Sequence, residues 1–247
     1  MGLATGIGRR GVLAGAGAVL AGCQQPGAAT QAAVPQSSAP RLGPNRTGYI
    51  GFQLPIVNGL RDEFIKDVNR LLDLNAAEIY VLMSSPGGTI DAAQDIIAFM
   101  DSTHANRGVQ FVTHNAGVVA SAACYVFLAG QRRLSVPQGA FLFHQATLVS
   151  NGPLSSQVVQ EQSANLQRAE RSFVTMLTTK TRLTPAEAAS FTRRTVILNA
   201  DEARRDGITE ATTGFTLPPG ATITQIRSRQ TPSPAAAARS AEPAAAG

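Results

Sequence analysis

Three groups of residues have the types and order that acyl-transfer chemistry requires. Ser121 stands among small residues in GVVASAAC (Gly117 to Cys124), His144 closes the apolar run AFLF, and SSPGG (Ser84 to Gly88) closes an earlier run. A serine hydroxyl attacks a carbonyl when an imidazole takes its proton, and N–H donors must meet the charge that develops on oxygen. Small neighbours let a substrate approach Ser121 closely, and the unpaired N–H groups of a helix start favour negative charge there. The glycines of SSPGG permit a loop whose backbone N–H groups face a ligand. Taken alone, such a serine more often serves tight helix packing. The loop and the His144-Gln145 pair turn the reading towards catalysis.

These groups need elements that bring them to one place. Tyr49 to Leu54 is a strand candidate, and Gly59 to Leu74 spaces Leu60, Phe64, Val68, Leu71 and Leu72 as a helix face. Ile79 to Met83 is a continuous apolar run, expected for a parallel strand buried on both faces, and it feeds SSPGG. Thr89 to Met100 reads as a helix with Ile90, Ala93, Ile97 and Met100 inward, and Val109 to Thr113 as the next strand. Strand and helix alternate through His144, which predicts an α/β fold of repeated ββα/βαβ units around a mostly parallel sheet. Ligands of such sheets sit beyond the carboxyl ends of the strands, where SSPGG, Ser121 and His144 all fall. Beyond His144, Thr147 to Asn151 reads as extended and Pro153 to Leu177 as a long amphipathic helix. Thr184 with Glu187, and Asn199 with Glu202, have the spacing of capping boxes.

Composition bounds the remaining classes. The 247 residues, 44% hydrophobic, suffice for one domain with a sizeable core. The net charge is +5, but two of those charges, Arg9 and Arg10, lie in a segment read as removed. No basic run interleaved with aromatics occurs, so no nucleic-acid partner is expected. Residues 1–22 read as a signal peptide: Arg9-Arg10 precede an apolar stretch too short to span a membrane, ending in Leu20-Ala21-Gly22-Cys23. That end resembles the lipobox of bacterial lipoproteins, and the paired arginines resemble a twin-arginine signal. Lipidation at Cys23 would make the lipid the sole membrane contact. The expected location is the periplasm, with the outer membrane favoured because Gln24 is not the aspartate associated with inner-membrane retention. Residues 23–46 then form anchor and disordered linker, 47–228 the folded domain, and 229–247 a disordered Pro/Ala-rich tail. With Cys23 lipidated, Cys124 has no disulfide partner and is read as packing. His104 falls in a polar loop, and His114 ends a strand as a supporting residue. No metal-ligand spacing, phosphate loop or dinucleotide fingerprint is present, so neither metal nor cofactor is expected.

SSPGG, GVVASAACYVFLAG and LSVPQGAFLFHQA together resemble, in order and nearly in spacing, the proteolytic subunit of Clp-type peptidases. The resemblance runs from about Tyr49 to Glu210 and implies a crotonase-type fold. It implies Ser121 as nucleophile, His144 as base, the N–H groups of Gly88 and Ala122 as oxyanion hole, and Gly87 beside the substrate. Peptides or unfolded proteins would be the substrates. The Pro153–Leu177 helix would join subunits into a homo-oligomer, although its pattern alone fits packing on the core. The family's ATPase would lack ATP outside the cytoplasm, so action is expected without it. In the family the triad acid precedes a Leu-x-Ala-x-Glu-Ala segment, here Leu198 to Ala203. Counting back without gaps reaches Phe191, not a carboxylate, while Glu187 and Asp201 have capping positions. Three rivals remain: a Ser-Lys peptidase using Lys66 or Lys180, a non-catalytic peptide-binding relative, and an acyl-CoA enzyme, which export away from CoA disfavours.

Overall fold

We describe residues 39–148 and 152–226 of a computed structural model of the chain. The signal segment, Cys23 and most of the tether lie outside these residues, as do Val149 to Asn151 and the tail from 227 onward.

The apolar runs become strands and the periodic segments between them helices. In chain order these are β1 (Thr47–Phe52), α1 (Asn58–Asp73), β2 (Glu78–Ser85), α2 (Ile90–Arg107), β3 (Gln110–Ala120), α3 (Ala122–Ala129), β4 (Arg132–Ser135) and β5 (Ala140–Phe143). Then follow α4 (Ser156–Lys180), α5 (Pro185–Arg193), β6 (Val196–Asn199), α6 (Ala200–Arg205), β7 (Ala211–Thr212) and β8 (Ile223–Gln225). The strands form one sheet in the order β6-β5-β3-β2-β1-β8, with β4 also beside β3 and β7 beside β4. Every pairing is parallel except β5 with β6. The expected mostly parallel α/β sheet is therefore present.

β3 is the branch point of this sheet. Its first half, Val112 to Asn115, pairs with β4, and its second half, Val118 to Ala120, pairs with β5 on the same side. The fork lets β3 run on to Ser121 with β5 at its flank. The helix that follows, α3, is apolar all round and all eight of its residues are buried, as such a helix must be. Phe127 of α3 meets Phe141 of β5 edge-on at 4.9 Å.

Three local expectations are corrected. The run Ile79 to Met83 is not buried on both faces: Ile79, Val81 and Met83 are fully buried, while Tyr80 and Leu82 are only half-buried. Side chains of α1 and α2 join the first set in one core, whereas Tyr80 stacks with the loop residue Phe215 at 5.3 Å on the other face. His114 lies inside β3 rather than at its end, fully buried and bonded to the Tyr80 hydroxyl and, through Nε2, to the Thr213 carbonyl at 3.0 Å. The carbonyl accepts from Nε2–H, and burial disfavours the charged ring, so Nδ1 accepts from the Tyr80 hydroxyl. His104 is not in a loop: it sits in the last turn of α2, its Nδ1 bonded to the Val109 carbonyl at 2.9 Å.

Both capping boxes form, Thr184 with Glu187 at the start of α5 and Asn199 with Glu202 at the start of α6. Arg41 exchanges hydrogen bonds with Thr222 at 2.8 and 3.2 Å, so the last residues of the segment read as a tether run along the domain. No helix among the described residues is long and apolar enough to cross a membrane.

Candidate active site

Ser121 is the hinge between β3 and α3. Its N–H donates to the Leu142 carbonyl at 2.7 Å, which extends the β3–β5 ladder and holds Ser121 beside the strand that ends at His144. Its backbone is left-handed, φ 56° and ψ −131°, a conformation that costs about 1–3 kcal/mol in a residue with a side chain. The hydroxyl makes no capping bond to α3, so nothing in its own helix consumes it.

The SSPGG loop passes directly under this serine. Gly87 has φ +89°, and a Cβ there would lie 2.5 Å from the Ala120 carbonyl and 2.6 Å from Ser121 Cβ. Only a glycine permits that approach. Its carbonyl accepts from Ile56 N–H at 2.7 Å and its N–H donates to Ser85 Oγ at 3.3 Å. Gly87 is therefore a buried spacer whose polar groups are engaged, not the substrate contact expected from the resemblance. Gly88 forms a parallel bridge with Ile56, in which Thr89 N–H donates to the Ile56 carbonyl at 2.8 Å. In that pattern the N–H of Gly88 itself points away from Ile56. Neither Gly88 N–H nor Ala122 N–H has a partner among the described residues.

Gly88, Ser121, Ala122 and His144 line one cleft of about 1260 Å³, with Tyr125 at its floor and one side of α4 as a wall. The four residues expected to act together are thus gathered. His144 is half-buried, and its Nδ1 is bonded to the Gln145 carbonyl at 2.8 Å. A carbonyl only accepts, so Nδ1 carries the proton and the Nε2 lone pair is open. No hydrogen bond joins Ser121 to His144, and no carboxylate touches His144, among the described residues.

The position counted along the chain for the acid, Phe191, is taken up by packing. Phe191 is buried in an aromatic cluster, 5.0 Å from Phe143, and does not itself line the cleft. Tyr125 in turn lies 6.0 Å from Phe143 and stacks on Phe173 at 3.6 Å. The antiparallel register pairs Phe143 with Val196, and continued one step further it brings Thr195, which is exposed, towards His144. Thr195 bears no carboxyl group, and Thr192, next to Phe191, is the α5 residue that lines the cleft with His144.

Two carboxylates reach the cleft, neither foreseen from sequence. Asp91 belongs to the first turn of α2, and Glu170 of α4 accepts from Arg193 Nε at 2.8 Å and from Thr192 Oγ1 at 3.4 Å. Helical spacing marked neither, since solvated acids are common on such faces. The Tyr125 phenol is pushed up by burial, then by the Cys124 and Glu170 charges. Cys124 is buried and donates to the Val119 and Leu142 carbonyls at 3.3 and 3.4 Å, and burial pushes its thiol up. It is a packing residue. Glu187 is engaged by Thr184, which holds its carboxyl below the usual range. Lys66 pairs with Glu63 on α1 at 3.3 Å and Lys180 ends α4; neither lines the cleft. No group of metal-ligating side chains occurs among the described residues.

A profile described as Clp protease matches residues 48–213. The ATP-dependent Clp protease proteolytic subunit 2 of Pseudomonas aeruginosa is 26% identical over 164 residues, covering 62% of this chain and 76% of that protein. The protein of the same name from Gluconobacter oxydans is 28% identical over 162 residues, covering 62% of this chain and 70% of its own. Among solved structures, a mutant ClpP1 from Listeria monocytogenes superposes with a TM-score of 0.59 at 19% identity, covering 69% of this chain and 92% of that one.

Proposed function

Since this chain belongs to the Clp protease family, we propose that it is a serine endopeptidase using Ser121 and His144. The observation that carries this reading is the cleft itself. It holds a serine at a strained strand–helix junction, a histidine with an open Nε2, and two unpartnered N–H groups. In the proposed reaction Ser121 Oγ attacks a peptide carbonyl while His144 Nε2 takes its proton. The oxyanion lies between the N–H groups of Gly88 and Ala122, and His144 returns the proton to the departing amine. Water then repeats the sequence on the acyl-enzyme. Substrates are short or unfolded peptides, taken without an ATPase. Attachment through lipidated Cys23 places the work in the periplasm, and copies of the chain associate through α4, whose exposed Val158 and Val159 support that.

Labelling with a fluorophosphonate tests the chemistry. Full-length protein acquires the label on Ser121, and Ser121→Ala removes it; label on another serine overturns the assignment. For the anchor, Cys23→Ser shifts the protein from the membrane fraction to the soluble one. Unchanged fractionation rejects the lipoprotein. A second reading, a relative that binds peptides without cleaving them, is favoured by the lack of any carboxylate on His144 among the described residues. It predicts peptide binding with no labelling at all.

A further inference from the structure

We infer that the third member of this site is a main-chain carbonyl, that of Gln145. The inference rests on the peptidase reading and deepens it. An acid in a triad does two things: it fixes the histidine tautomer and it stabilises the imidazolium. The Gln145 carbonyl, 2.8 Å from His144 Nδ1, performs the first, since accepting the Nδ1 proton leaves Nε2 free to take one from serine. Being neutral, it performs the second only weakly.

The surrounding groups explain why the carbonyl is left in this role. Continued one residue past its last pair, Phe143 with Val196, the β5–β6 register brings Thr195, exposed and without charge, towards His144. The charged and titratable groups lining the cleft are Asp91 from α2, Tyr125 from α3, and Arg168 and Glu170 from α4. Glu170 is held by Arg193 and Thr192 at the end of α5. Arg168 bonds to Asn165 within its own helix. Tyr125 is kept protonated by burial. Asp91 stands in the first turn of α2. Gln145 is the chain neighbour of His144, so its carbonyl stays within reach whatever the α4 wall does.

The pH dependence of Ser121 reactivity tests this, read as phosphonylation by a fluorophosphonate, with loss of fluoride, on the full chain. Thr195→Asp supplies a carboxylate where the register points. It raises the phosphonylation rate by about tenfold to a hundredfold, part of the roughly 10⁴ that a triad acid contributes. It also moves the midpoint of the acid limb to higher pH, because an adjacent anion favours the imidazolium. Glu170→Gln and Asp91→Asn leave that midpoint in place, whatever they do to the rate through the cleft walls. The ¹⁵N shifts of His144 report the Nδ1–H tautomer in the wild type and in both of these variants. A midpoint that falls in Glu170→Gln or Asp91→Asn shows a carboxylate already acting on the ring and overturns the inference alone. So does a Thr195→Asp protein, folded by its melting curve, with wild-type rate and midpoint. A wild type that takes no label overturns the peptidase reading, and the inference with it.

Discussion

Gly88→Ala separates the loop's structural work from its chemistry. Gly88 has φ +155°, and a Cβ there would lie 2.0 Å from the Ile56 carbonyl oxygen and 2.7 Å from its carbon. Those atoms are main chain and cannot swing aside, so the loop itself must move. The φ region is nearly closed to residues other than glycine, which costs about 1–3 kcal/mol. Moving the loop also breaks the bonds from Ile56 N–H to Gly87 and from Thr89 N–H to Ile56, at 2.7 and 2.8 Å, each worth about 1 kcal/mol net. The total is about 4 kcal/mol, which for a domain of this size lowers the melting temperature by about 8–16 °C. The protein remains folded at room temperature, since domains have about 5–15 kcal/mol of stability. The displaced Gly88 N–H no longer meets the oxyanion, so acylation falls by about 10²–10³. Gly59→Ala is the control: its Cβ meets nothing within 4 Å and sits in the first turn of α1, so melting temperature and acylation both hold. Thermal melts and single-turnover acylation of the two variants decide the matter. A Gly88→Ala protein that melts with the wild type would refute the steric argument. One that melts low but acylates at full rate would refute the oxyanion role.

Three further outcomes follow from the same geometry. Ser121→Gly abolishes labelling yet raises the melting temperature, because glycine tolerates φ 56° and releases about 1–3 kcal/mol of strain; a lower melting temperature contradicts this. Phe191→Asp gives no faster acylation and melts well below the wild type, as truncating a buried Phe costs about 3–5 kcal/mol and the new carboxylate would sit against Phe143. Accelerated acylation in that variant would restore the ungapped count. His114 is buried and neutral, with its pKa lowered by desolvation against the opposing Thr213 hydrogen bond. The unfolded chain therefore binds its proton first as pH falls, and stability present above about pH 6.5 is lost between there and the lower folded-state pKa. Denaturant midpoints should show this acid loss, and His114→Gln should flatten it.

The site was legible in the sequence wherever identity along the chain was enough. Ser121 among small residues and the glycines of SSPGG are marked by what they lack, a bulky side chain, and His144 by its place at the end of AFLF. The capping boxes at Thr184 and Asn199 were legible for the same reason, since each is completed within four residues. What depended on contacts between distant elements was not. Phe191 is held by Phe143, a residue 48 positions away on β5, and no spacing along the chain announces that contact. Periodicity likewise could not tell that Tyr80 packs on the loop residue Phe215 while Ile79 and Val81 join a core with α1 and α2. Gln145 shows a third kind of blind spot, because its contribution comes from a carbonyl that every residue possesses.

The α4 wall gives the cleft two sides of unequal firmness. Within α4 the buried residues are Ala169, Phe173 and Leu177, all in its second half. The first thirteen positions, Ser156 to Arg168, run about 20 Å with no buried side chain, yet Gln162, Asn165 and Leu166 among them border the cleft. Helical segments without tertiary packing open at low free energy. In hydrogen exchange the amides of Ser156 to Arg168 would therefore trade protons orders of magnitude sooner than those of α3. Substrate would meet a fixed floor and a yielding bank, and the width of the channel would be set by whatever braces that bank.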